Sequence, residues 1–211
     1  MALFDSLKKQ LQSTVKQTIN AQAQKTAQSI RSQGQKAVNG IVTGSSRSWT
    51  VTFDRLPQTL DELKALPEAA LKEPHHTAAL TVAALCLYPK DRDAAQEMLR
   101  FLSGPRELTP MFWQSINDRF MDGKDYIPRS FFEGATPEND YTPNQPYTLR
   151  LWFDPYGSAE EGYTGLTLQS GGADSKRQIK LRLKPSTGEW FLWQQDLLAG
   201  IRIPKSQDKW A

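Results

Sequence analysis

The run Ile179-Lys180-Leu181-Arg182-Leu183-Lys184 alternates aliphatic and cationic residues, and Leu149-Arg150-Leu151-Trp152-Phe153 alternates in the same way. Successive side chains of a strand point to opposite faces, so each run shows its polar members on one side. If strands that follow one another in the chain also pair in order, Arg150, Trp152, Lys180, Arg182 and Lys184 share one surface. Cations interleaved with an aromatic ring bind anions, either an acidic protein segment by ion pairing or single-stranded nucleic acid by stacking and phosphate contact. The same residues also suit the solvated face of an ordinary antiparallel sheet.

Other residues with chemical capacity lack the spacing that chemistry needs. Ser170-Gly171-Gly172-Ala173-Asp174-Ser175, followed by Lys176 and Arg177, could cradle an anion on successive backbone N–H groups. It matches neither a P-loop nor a dinucleotide fingerprint, and a tight inter-strand connection accounts for it. His75 and His76, the two histidines, are adjacent, so on a helix they point about 100° apart and do not form an i,i+4 metal pair. Asp61-Glu62 and Glu160-Glu161 read as first-turn and turn charges. Cys86 is the single cysteine, which excludes an internal disulfide and a Cys-rich zinc site. Set in an apolar run, it reads as a buried structural thiol. No Ser-containing nucleophile elbow is present. No residue is therefore assigned a catalytic, cofactor-binding or metal role, and no cofactor is expected.

The elements that must position these residues follow from hydrophobic period. Trp49–Phe53 alternates and is rich in strand formers. Thr59 with Glu62 three residues on is a capping-box start. A buried helix is expected over about 75–88, and an amphipathic one from Asp91 to Leu102 with Ala94, Ala95, Met98, Leu99 and Leu102 on one face, ended by Gly104-Pro105. Thr109-Pro110 opens a further helix to about Met121. From Asp122 to Gln145 the chain reads as irregular, and its aromatic residues Phe131, Phe132 and Tyr141 cover the core or line a groove. The period then becomes two, with strands at Tyr147–Phe153, Tyr163–Gln169, Arg177–Lys184 and Glu189–Gln194. Lys184 to Glu189 is a hairpin connection with Gly188 where a positive φ is needed. Helices over about 59–121 followed by strands over about 147–194 make an α+β fold: a helical segment packed on a C-terminal antiparallel meander of about four strands.

Ahead of this domain, residues 1–48 carry seven basic residues against Asp5, a net +6, with no Pro, Trp or Tyr. The remaining 163 residues hold 19 basic and 22 acidic residues, a net −3, which argues against nucleic acid as a partner. Residues 1–44 read as a basic amphipathic helical arm, 45–48 as a linker and 49–211 as the α+β domain. Phe4, Leu7, Leu11, Val15 and Ile19 recur at helical spacing. Ile19, Ile30 and Ile41 are eleven residues apart, a period of 3.67 per turn that keeps one face straight or gives a slight right-handed supercoil. So thin an apolar face needs a partner: another copy of the arm in a coiled coil or bundle, another protein, or an anionic membrane surface. The longest apolar run, Ala78 to Tyr88, is too short to span a bilayer. The first residues lack the pattern of a cleaved signal, and a cytoplasmic protein is expected.

Ser130-Phe131-Phe132-Glu133-Gly134-Ala135-Thr136-Pro137-Glu138-Asn139, Tyr141-Thr142-Pro143, the loop Ser170–Ser175 and Glu189-Trp190-Phe191-Leu192-Trp193 resemble an uncharacterised bacterial family of the Firmicutes type, a domain of unknown function. The resemblance extends over roughly 50–211 and implies no activity. Gly188, Trp190 and Leu192 also resemble the closing strand of cone-shaped folds of the nuclear-transport-factor-2 type, which would imply helices on a curved sheet. The expected function is that of a non-enzymatic cytoplasmic interaction or assembly protein whose arm, through Phe4, Leu7, Leu11, Val15, Ile19, Ile30 and Ile41, mediates oligomerisation or docking. A small-ligand-binding or enzymatic cone-fold protein, or a membrane-surface binder, is the alternative.

Overall fold

A computed structural model of the chain describes residues 47–210. The arm residues, and with them the 11-residue repeat, lie outside the described residues. Ser46–Ala211 form one compact unit, built from helices on a five-stranded sheet.

The strands are β1 (Ser48–Phe53), β2 (Tyr147–Asp154), β3 (Tyr163–Leu168), β4 (Arg177–Lys184) and β5 (Glu189–Gln195), arranged in that order with every neighbouring pair antiparallel. The meander therefore has five strands and not about four. The Trp49–Phe53 segment pairs with β2 along its whole length, Ser48 opposite Trp152 and Phe53 opposite Tyr147. The Phe153 N–H also donates to the Arg47 carbonyl, so the sheet takes in the C-terminal end of the expected 45–48 linker.

Alternation sets the two faces. Val51, Phe53, Leu149, Leu151, Leu166, Leu168, Ile179, Leu181 and Leu192 are buried on the inner face. Against it lies α2 (Pro74–Leu87), which follows the short α1 (Leu60–Lys64). Ten of the fourteen residues of α2 are buried, as expected of a helix enclosed on all sides. Its far side is covered by α3 (Arg92–Ser103), which is amphipathic and buries Ala95, Met98, Leu99 and Leu102. The helix α4 (Pro110–Phe120) and short 3-10 turns between Met121 and Asn139 complete the helical layer.

The helix starts follow their capping chemistry. Side chains of Thr59, Asp91 and Thr109 accept from the backbone N–H groups of Glu62, Ala94 and Phe112 respectively, each satisfying a donor that the first turn leaves open. The edge strand β5 is closed by its own chain. The Trp190 N–H donates to the Leu71 carbonyl at 2.7 Å, Thr77 Oγ1 donates to the Trp190 carbonyl at 2.7 Å, and the Arg106 guanidinium donates to the Trp193 carbonyl. Unpaired edge groups template strand addition, and these contacts occupy three of them.

Candidate functional site: a cationic aromatic cleft

The register places Arg150, Trp152, Lys180, Arg182 and Lys184 on the outer face. Trp152 is opposite Thr167, Thr167 opposite Gln178, and Tyr163 opposite Arg182, and residues opposite one another share a face. The five do not form one electrostatic patch. Glu133 holds Arg150 at 2.5 Å and Glu160 holds Lys180 at 3.0 Å. Arg182 and Lys184 make no ion pair among the described residues.

Around these two the fold brings groups that spacing in the sequence did not indicate. The pairing of β4 with β5 slips by one between Lys180 and Leu181: Leu181 is opposite Leu192, and Lys180 is opposite Gln194. Trp193 is thus the extra residue of a β-bulge, a feature that re-aims a side chain. The Arg182 guanidinium carbon lies 4.7 Å from the Trp193 ring centre and 5.4 Å from that of Tyr163, and the two rings meet edge to face at 5.5 Å. Arg106 stands 4.8 Å from Trp193. Lys176 caps Trp152 at 3.7 Å and Lys180 caps Tyr163 at 4.4 Å. Each cation on a ring contributes on the order of 0.5–1 kcal/mol at an exposed site, and together they hold long side chains in fixed places.

Arg106 reaches this face because α3 stops at Gly104. Its φ of +62° is left-handed, and a Cβ there would lie 2.5 Å from the Phe191 ring. Arg106, two residues on, then reaches β5, where its guanidinium meets the Trp193 carbonyl and ring. The result is a cleft of about 390 Å³ lined by Ser103, Pro105, Arg106, Arg182, Leu183, Lys184, Pro185, Phe191, Leu192 and Trp193. Three cations line it and no carboxylate does. Glu189 is Lys184's partner across the hairpin, but it lies beyond ion-pairing distance of the lysine. Burial lowers the Arg106 pKa from its ordinary value, the response of a cation with reduced hydration and no anion to compensate. Ser103 is 2% exposed, and its hydroxyl has no hydrogen-bond partner among the described residues. Such an orphan costs about 1–3 kcal/mol. Arg182 and Lys184 were legible as one face of a strand. Ser103, Arg106, Phe191 and Trp193 were not, though aromatic residues on both faces of Glu189–Gln195 were a signal that the strand's outer side is also covered.

A second cleft of about 210 Å³ is lined by residues including Ala83, Cys86, Lys90, Arg129, Phe132, Tyr141 and Tyr147. Cys86 is half-buried on its wall, not sealed in the core as its apolar run suggests. Burial still pushes its thiol up to about 12, against the smaller opposing pull of Arg129 and Lys90. Of the irregular aromatic segment, Phe131, Phe132 and Tyr141 are buried, and Tyr141 stacks on Tyr126 at 5.2 Å.

The remaining sequence candidates resolve as structure. In the glycine loop, Gly171 N–H donates to the Ser130 carbonyl at 2.9 Å and Gly172 N–H to Ser170 Oγ at 3.0 Å, so neither N–H is left for an anion. Arg177 spends its guanidinium on the carbonyls of Ser175, Ala199 and Gly200. His75 stacks on Trp49 at 5.1 Å, and the two imidazoles meet edge to face at 4.4 Å. No His, Cys, Asp or Glu cluster among the described residues could hold a metal ion. Nor is any described helix long and apolar enough to cross a membrane.

Residues 55–205 match the family described as Domain of unknown function (DUF6935), and the chain belongs to that family. The match begins after β1 and ends after β5. No curated protein and no solved structure matches the chain.

Proposed function

We propose that the domain is a non-enzymatic binding module that docks an acidic segment of a partner protein along its outer sheet face, anchored at the cleft beside β5. The observation that carries this reading is the set Arg106, Arg182 and Lys184, three cations at one cleft with no carboxylate in its lining. An acidic chain supplies the missing anions, and the Phe191 and Trp193 rings offer apolar surface to the methylene groups between its carboxylates. The setting proposed is a bacterial cytoplasm.

A fluorescent Glu/Asp-rich peptide titrated with the full chain tests this. The expected result is binding that weakens steadily with salt, as exposed charge pairing requires. Arg182→Ala and Lys184→Ala should each weaken it by about 3- to 10-fold, chiefly through slower association. Equal binding of a Lys-rich peptide, or no effect of either substitution, rejects the reading.

For residues 1–44 we propose assembly, either with a second copy of the chain or by docking on another protein. The specific support is the apolar spacing of Phe4, Leu7, Leu11, Val15, Ile19, Ile30 and Ile41, a stripe too thin to be stable by itself. Docking on an anionic membrane surface is the competing outcome.

A further inference from the structure

Resting on that reading, we propose that the anchor of the bound segment is a phosphorylated side chain, and that the cleft between the α3–α4 connection and the β4–β5 hairpin is a phosphomonoester site. Charge comes first. A carboxylate carries one negative charge and would leave the cleft strongly positive, whereas a phosphomonoester carries about −1.5 to −2 near pH 7 and offers three acceptor oxygens. Geometry comes second. Arg182 and Lys184 are two residues apart on one face of β4, so their backbones are about 7 Å apart, within reach of one anion by long side chains. Arg106 enters from a different element, across Trp193. Cations from two sides suit a tetrahedral group, and guanidinium forks match phosphate oxygens in pairs.

Preorganisation comes third. Arg182 and Arg106 are both held against Trp193, so little freedom remains to be lost when the anion arrives. Ser103 supplies a hydroxyl that has no partner among the described residues, and an entering phosphate oxygen gives it one. The cleft's volume of about 390 Å³ is room for about a dozen waters. It thus accommodates the phosphate and the side chain that bears it, with Phe191 and Trp193 as walls. Those walls make phosphotyrosine the first probe.

The test is calorimetric titration of the full chain with three ligands: an acidic peptide containing phosphotyrosine, the same peptide with Glu in that position, and phenyl phosphate alone. The expected result is at least tenfold tighter binding of the phosphopeptide than of the Glu peptide, with phenyl phosphate weak. Arg182→Gln, an exposed position, should remove that advantage, and Ser103→Ala should reduce it while leaving the melting temperature unchanged or raised. Equal binding of the two peptides overturns the phosphate site and leaves the acidic-segment reading standing. Binding of neither overturns both. Phenyl phosphate binding as tightly as the phosphopeptide overturns the protein source of the anion. So does a preference for phosphoinositide vesicles over the phosphopeptide.

Discussion

Three titratable residues, His75, Cys86 and Tyr141, shape the pH behaviour of the domain. Burial, with the neighbouring His76 and Arg47 in the same direction, lowers His75 to about 4. The folded state then binds fewer protons than the unfolded chain between pH 6.5 and 4. The associated stability is fully present above pH 6.5 and is lost as pH falls through that window. His75 is half-exposed, so after discounting for solvent the effect is on the order of 1 kcal/mol. Denaturant midpoints at pH 7.5 and 4.5 should converge in His75→Phe, which keeps a ring against Trp49. At the alkaline end, burial raises Cys86 to about 12, and burial likewise raises Tyr141 to about 12. Both groups stabilise the fold below their unfolded values and lose that contribution as pH climbs from about 9 towards 12. The native protein should therefore react with iodoacetamide at pH 8 at least tenfold more slowly than the unfolded chain, because the thiolate is the nucleophile. Equal rates would place Cys86 outside its apolar surroundings.

The decisive element is the end of α3. Gly104 is required twice, for its left-handed φ and because a Cβ would strike the Phe191 ring. Gly104→Ala is expected to cost about 2–3 kcal/mol in chemical denaturation, by strain and displacement of Phe191, and to weaken binding at the cleft beyond its effect on stability. The edge of β5 makes a separate prediction. Thr77→Val keeps the shape of the side chain and leaves the Trp190 carbonyl unpaired, at a cost of about 1–3 kcal/mol. Turbidity on mild heating should rise with it if the Thr77 hydroxyl is part of what keeps the edge closed.

Over the whole molecule, residues 1–48 carry a net +6 and the remainder a net −3, and the two parts are proposed to have different tasks. Light scattering of the full chain and of a chain starting at Ser46 separates them. That start retains the Arg47 carbonyl, which accepts from Phe153, and the whole of β1. A multimeric full chain beside a monomeric shortened one identifies the arm as an assembly helix. Two monomers of equal behaviour reject self-assembly and direct attention to liposome or partner pull-down.

Periodicity and capping are local, and what they predicted locally appears in place: Thr59 and Thr109 as caps, an amphipathic helix over most of Asp91 to Leu102, α2 as a buried helix, the alternation of β4, and helices ahead of β2 to β5. The sequence also determined that Arg182 and Lys184 face one way, because side-chain period in a strand is two. It did not determine which strand closes the sheet, since the partners of β1 lie about a hundred residues away. Nor did it reveal the cleft. That depended on a bulge at Trp193, a left-handed glycine at the end of a helix, and Arg106 reaching over a strand from far along the chain. Each of these is decided by packing between distant segments, and only the tertiary structure brings the three cations of the proposed site to one cleft lined by no carboxylate.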